Sequence, residues 1–160
     1  MDLRRTDDDY MAVALRQAYK AADQGEVPVG AVAVAAGGEI VGRAYNQVEM
    51  LNDGTAHAEM IALTQAAAAM GDWRLGEVTL YVTKEPCPMC AGAMVNTRLG
   101  RLVYGCADQR GGAAGGALNL CDFPGLLHRV EVTAGVRADE CLDVIQAFFK
   151  QRRKKNEEES

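Results

Sequence analysis

The sequence predicts an α/β fold in which helices pack over one mixed five-stranded sheet. Three observations carry this. Apolar residues recur at helical spacing near both ends of the chain, short β-rich apolar runs lie between them, and glycine or proline punctuates nearly every junction. With 160 residues, 49% hydrophobic and 24% charged, the chain suits one packed domain that needs no disulfide staples. We expect that domain over residues 1–156, with a core of about 7–153 and an acidic, disordered tail at 157–160.

From Asp7 to Asp23, Tyr10, Met11, Ala14, Leu15, Ala18, Tyr19 and Ala22 mark a helix whose first turn is acidic and which Gly25 ends. Val29 to Ala35 and Ile40 to Tyr45 read as two strands of a hairpin, turned by Ala36-Gly37-Gly38-Glu39. Ala56 to Met70 is an alanine-rich helix closed by Gly71. Val78 to Val82 is a third strand, and Pro86 and Pro88 break it and open a helix over Met89 to Asn96. Arg101 to Gly105 is a fourth strand, Gly111 to Gly116 a flexible loop, and Val130 to Ala134 a fifth strand. Ala138 to Arg153 is the last helix, with Leu142, Ile145 and Phe149 expected inward.

No stretch approaches the roughly 20 apolar residues that span a bilayer. Residues 1–10 carry four aspartates and no apolar run, unlike a signal or transit peptide, so a cytoplasmic chain is expected. Five cysteines cannot all pair; Cys106, Cys121 and Cys141 read as buried thiols serving as small hydrophobes. The net charge of −5 argues at first against a nucleic-acid partner. The excess acid lies at the two ends, however, and Lys150, Arg152, Arg153, Lys154 and Lys155 form a dense basic cluster. Composition alone reads that cluster as a solvated helix end whose cations suit the helix dipole; a phosphate-binding face is the alternative.

The chemistry is concentrated in two segments, Thr55-Ala56-His57-Ala58-Glu59 and Glu85-Pro86-Cys87-Pro88-Met89-Cys90. A zinc site that performs chemistry takes three protein ligands and leaves a fourth position to water, and His57, Cys87 and Cys90 supply that number. The two cysteines stand three apart at the start of a helix, so their sulfurs share a face. Glu59 is better placed as the group that moves protons than as a ligand closing the open position. A redox pair needs neither His57 nor Glu59, and a structural zinc needs a fourth ligand, for which His128 is the remaining histidine.

His-x-Glu followed by Pro-Cys-x-x-Cys, with 26 residues between Glu59 and Pro86, resembles the zinc cytidine deaminase superfamily. The likeness extends to bacterial tRNA adenosine deaminases through Glu26-Val27-Pro28-Val29-Gly30-Ala31-Val32, Asn46, Cys90-Ala91-Gly92-Ala93-Met94, Gly112-Ala113-Ala114-Gly115, His128-Arg129-Val130-Glu131-Val132 and Phe148-Phe149…Arg152-Arg153. Gly54, Lys84 and Leu127 depart from that pattern.

The resemblance implies a three-layer α/β/α cytidine-deaminase-like fold and one Zn2+ per subunit. It also implies hydrolytic deamination of adenosine to inosine at the wobble position of a tRNA anticodon, by a homodimer. It places Asn46 and Val29 in the base pocket and Asp108 against the RNA, and gives Arg152 and Arg153 a use as phosphate contacts on the anticodon stem-loop. Two other readings stay open. One is a deaminase of a free base or nucleoside, which needs no basic cluster; the other is a non-catalytic zinc module that binds RNA or protein.

Overall fold

A computed structural model describes residues 4–160, so the first three residues of the expected domain lie outside it. Five strands form one sheet in the order β2-β1-β3-β4-β5: β1 (Gly30–Val34), β2 (Ile40–Tyr45), β3 (Thr79–Lys84), β4 (Arg101–Cys106) and β5 (Glu131–Thr133). β1 runs antiparallel to β2 and to β3, whereas β3, β4 and β5 are mutually parallel. The β1–β2 hairpin closes through Ala35 N–H to Glu39 O, and the Tyr10 hydroxyl donates to Gly38 O at its tip.

Side chains alternate across this sheet, which is what builds two cores. Ala31, Ala33, Leu80, Val82, Leu102 and Tyr104 face α3 (Ala58–Met70) and α4 (Pro88–Asn96). Val32, Val34, Tyr81 and Val103 face α1 (Asp7–Asp23) and α5 (Ala138–Glu159). The result is the expected three-layer α/β/α arrangement. Across the α1 layer, the Arg101 guanidinium grips Asp7 with its two terminal nitrogens, at 2.9 and 2.7 Å, and the Tyr81 hydroxyl donates to the same carboxylate. Among the described residues no helix is long and apolar enough to cross a membrane.

Four differences from the sequence reading have physical causes. A short helix, α2 (Val48–Leu51), lies where no element was expected, since four residues show no periodicity. The expected inward face of α5 is corrected: Cys141 and Val144 are buried, while Leu142 and Phe149 are 41% and 38% exposed. Cys141, Val144 and Ile145 pack into the core on the sheet side, and Leu142 stands one residue, about 100°, beyond Cys141. The expected disordered tail 157–160 is instead helical to Glu159, because Gln, Arg, Lys and Glu lose little rotamer freedom in a helix. The expected flexible loop 111–116 is pinned, with Ala113 and Ala114 buried. Cys106, Cys121 and Cys141 are buried free thiols, as read.

Gly30 shows how tightly α1 seats on the sheet. A Cβ there would run into the Ala14 carbonyl oxygen and the Ala18 amide nitrogen, and Ala14 and Ala18 are themselves fully buried. The site-bearing start of β1 is thus fixed by backbone against backbone, with no flexible side chain to yield. Gly30→Ala should destabilise the protein by about 1–3 kcal/mol through overpacking, read as a lowered midpoint in denaturant unfolding with an unchanged slope.

Candidate active site

Because β1 is antiparallel to its neighbours, one edge of the sheet collects the beginning of β1 and the ends of β2, β3 and β4. Chain segments leaving strands at such an edge are where α/β proteins build sites. Here they surround a cavity of ≈ 250 Å³. Val29 lines it from before β1, Asn46 from just after β2, Lys84 and Glu85 from the end of β3, and Asp108 from after β4. His57, Glu59 and Cys87 line it from the two helices of one layer, and Arg152 reaches it from α5. The sequence-derived set is therefore brought together: Cys90 lies behind the wall with its sulfur beside His57, and Arg153 alone stands apart, exposed on α5.

His57 and Cys87 are the N-cap residues of α3 and α4, both with extended backbone and neither making a side-chain cap hydrogen bond. Their side chains are free to point at each other instead of at their own helices. Cys90, one turn into α4, is fully buried. The Cys87 and Cys90 sulfurs lie 3.6 and 3.4 Å from His57 Nδ1, and all three donor atoms lie within 4.8 Å of one another. Tetrahedral geometry with Zn–S of about 2.3 Å and Zn–N of about 2.1 Å requires an N···S edge of about 3.6 Å. The donor set and its spacing fit a zinc ion.

Among the described residues this three-member group is the only His/Cys/Asp/Glu cluster with metal-holding geometry. His128 stands apart, its Nε2 donating to Leu99 O at 2.7 Å, so it supplies no fourth ligand. Hydrogen bonds from Cys90 first and His57 second pull the Cys87 thiol down to about 3, and the bond to Cys87 raises His57. The hydrogen bond between Cys90 and Cys87, followed by burial, pushes Cys90 up. A cation bound among the three donor atoms would take the place of these hydrogen bonds.

Glu59, on the first turn of α3, is 4% exposed, and burial pushes its carboxyl above the usual range. Asn46 is also buried. Its Nδ2 donates to Val27 O at 3.3 Å, which fixes the amide orientation, and its Oδ1 has no hydrogen-bond partner among the described residues. A buried acceptor without a donor costs about 1–3 kcal/mol, and at a cavity wall it marks where a ligand donor belongs.

Two functional carboxylates escaped the sequence reading. Glu26, 1% exposed, accepts from the Glu49 and Met50 amides at 2.9 and 2.7 Å and so holds α2 against the cavity. Glu85, 3% exposed, accepts from the Asp108, Ala114 and Gly116 amides at 3.0, 3.0 and 2.8 Å. A Cβ at Gly112 or Gly116 would collide with the Glu85 carboxylate, which explains the glycines that flank this loop. The available signal was an acid beside an apolar strand in each segment. Asp108 in turn takes the Arg110 and Gly111 amides on Oδ1 and the Lys84 ammonium on Oδ2 at 3.2 Å.

Glu85→Gln replaces one acceptor oxygen by an NH2 that faces backbone N–H groups. The loop should loosen by about 1–3 kcal/mol, seen as faster hydrogen exchange at the Asp108, Ala114 and Gly116 amides while amides of α1 keep their protection.

Residues 5–153 match the MafB19-like deaminase family. A tRNA-specific adenosine deaminase of Bacillus subtilis (strain 168) is 47% identical over 149 residues, covering 93% of this chain and 92% of its own. A structure from a study of A-to-I editing by tRNA:A34 deaminases at the wobble position superposes with a TM-score of 0.81 at 39% identity, over 84% of this chain and 97% of that one. A guanine deaminase from Nitrosomonas europaea superposes with a TM-score of 0.77 at 20% identity, over 92% and 86%, a likeness of fold alone. The protein therefore belongs to the MafB19-like deaminase family.

Proposed function

We propose that this protein is a zinc-dependent hydrolase that converts adenosine to inosine at the first anticodon position of tRNA, acting in the cytoplasm as a homodimer. The observation that carries the proposal is a single cavity holding a three-donor metal group, a buried carboxylate beside it and an orphaned amide oxygen. The wobble-position substrate comes from the relatives' names and from the basic residues Arg152, Lys154 and Lys155 of the groove beside the cavity.

His57, Cys87 and Cys90 would hold the zinc, which when bound acts as a Lewis acid that makes water nucleophilic at neutral pH. Glu59 takes one proton from the attacking water and gives it to the purine ring nitrogen beside C6, where it stays, and then carries the second proton, from the new C6 hydroxyl, to the amino group that leaves as ammonia. Its burial keeps bulk water from competing for that proton, and its raised affinity suits a group that must both accept and release one. Asn46 Oδ1 receives an N–H or O–H donor of the nucleoside, and Val29 packs against the ring from the start of β1. An anticodon loop is already single-stranded, so turning its base into the cavity costs less than opening a duplex.

Asp108 supports an RNA contact at the rim because its carboxylate is held in place by two amides and Lys84. Arg152 supports a phosphate contact through its position. Its guanidinium stacks 4.9 Å over Phe148, donates to Gly25 O, and lines both the cavity and an adjoining groove of ≈ 480 Å³ shared with Lys154 and Lys155. Arg153, exposed and off the cavity wall, suits phosphate farther along the strand. The homodimer is supported by the exposed apolar side chains Met50 and Leu51, 52% and 54% accessible on α2 next to the cavity.

Purified protein should carry about one zinc per chain and convert adenosine to inosine in an anticodon stem-loop with adenosine at the first anticodon position. Glu59→Gln should keep its zinc and lose about 10²–10⁴-fold in kcat. Free adenosine or guanine turning over faster than the stem-loop would favour a small-molecule deaminase. A Glu59→Gln variant within about threefold of wild type, far short of a general acid–base contribution, would favour a binding module.

A further inference from the structure

Resting on that functional reading, we propose that Lys84 is a specificity-determining residue: its ammonium receives a phosphate of the RNA strand that delivers the reacting nucleotide to the cavity.

A nucleotide within a strand carries phosphate on both sides, and those phosphates must approach a cavity whose wall includes Glu26, Glu49, Glu59, Glu85 and Asp108. Lys84 and Arg152 are the cations of that wall among the described residues. Backbone amides satisfy Glu26 and Glu85, and Glu59 is sealed in, so their charges do not reach the mouth undamped. Asp108 is different, because it is a rim carboxylate that would repel an entering phosphate. Lys84 meets it at 3.2 Å.

This pairing does more than cancel one charge. Asp108 Oδ1 is engaged by the Arg110 and Gly111 amides, which leaves Oδ2 as a fixed arm for the ammonium. An ammonium carries three donors, and contact with one carboxylate oxygen leaves hydrogens for a second acceptor. The Lys84 side chain is 36% exposed and lines the cavity, so those hydrogens can meet solvent and incoming ligand. Lys84 is also the last residue of β3, three positions before Cys87, which places the cation on the rigid segment that carries the metal group. A long flexible side chain tied at its tip has already lost much of the rotamer freedom that binding would remove.

A purely structural role, shielding Asp108, would alter activity without altering the number of ions released on binding. Phosphate contact changes that number, so the dependence of binding on salt separates the two.

The test uses the full-length zinc-loaded protein and an anticodon stem-loop bearing adenosine at the first anticodon position. kcat/KM is measured across about 50–200 mM salt, a range in which phosphate contacts weaken markedly. Lys84→Met should lower kcat/KM about tenfold at the low end, chiefly through KM. It should reduce the log–log salt slope by about one, and keep one zinc per chain. Lys84→Arg should restore most of the slope. Lys84→Gln, which can still donate to Asp108, should behave like Lys84→Met and keeps the test open if the methionine variant does not fold. A wild-type slope in folded Lys84→Met or Lys84→Gln overturns the inference, whatever happens to the rate. Wild-type protein inactive on the stem-loop overturns the functional reading itself, before any variant is compared.

Discussion

The site depends on two helices that begin at one point. His57 and Cys87 stand at the N-caps of α3 and α4, positions usually filled by side chains that turn back to satisfy their own helix. Here neither does so, and each offers its donor atom across the gap instead. Two helix N-termini concentrate positive potential there, which favours thiolates and, through them, a cation. Everything else at the sheet edge is arranged around that meeting. Cys90 follows from the helical turn after Cys87, Glu59 from the turn after His57, and the antiparallel placement of β1 brings Val29 and Asn46 in from the other side.

Holding such an edge together is a problem in unsatisfied backbone. Chain segments leaving a sheet carry amides with no ladder to join. Glu26 and Glu85 solve this with buried carboxylates, one collecting two amides of α2, the other three amides of the loop from Asp108 to Gly116. Both acids line the cavity, yet their role is to fix its wall. The glycines at 112 and 116 belong to the same solution, since any side chain there would displace the Glu85 carboxylate. A loop that composition marks as flexible is therefore rigid, and its rigidity presents Asp108 and Lys84 at the rim.

How much of this was legible in the sequence follows from the range of each interaction. The donor triad and Glu59 could be read because the ligands come in two compact segments and the count of three implies an open position. The strands and long helices could be read because their apolar periods are local. Glu26 and Glu85 could not: each acts on amides 23 or more positions away, and nothing in a local pattern shows where a carboxylate's partners will be. The same holds for α2, which exists because Glu26 holds its first turn. On α5 the pattern offered two overlapping apolar stripes, and the small thiol Cys141 against Gly105 decided between them in favour of Cys141, Val144 and Ile145. Arg152 and Arg153 look equivalent in sequence, and only the path of α5 past Gly25 distinguishes them.

X-ray absorption at the zinc edge tests the central claim most directly, because it reads the metal's surroundings in solution. The expected spectrum shows two sulfurs at about 2.3 Å and two nitrogen or oxygen neighbours at about 2.0–2.1 Å, with the outer-shell scattering of one imidazole. A third sulfur, a second imidazole, or a protein that binds no zinc would contradict a three-ligand site opened by the caps of α3 and α4.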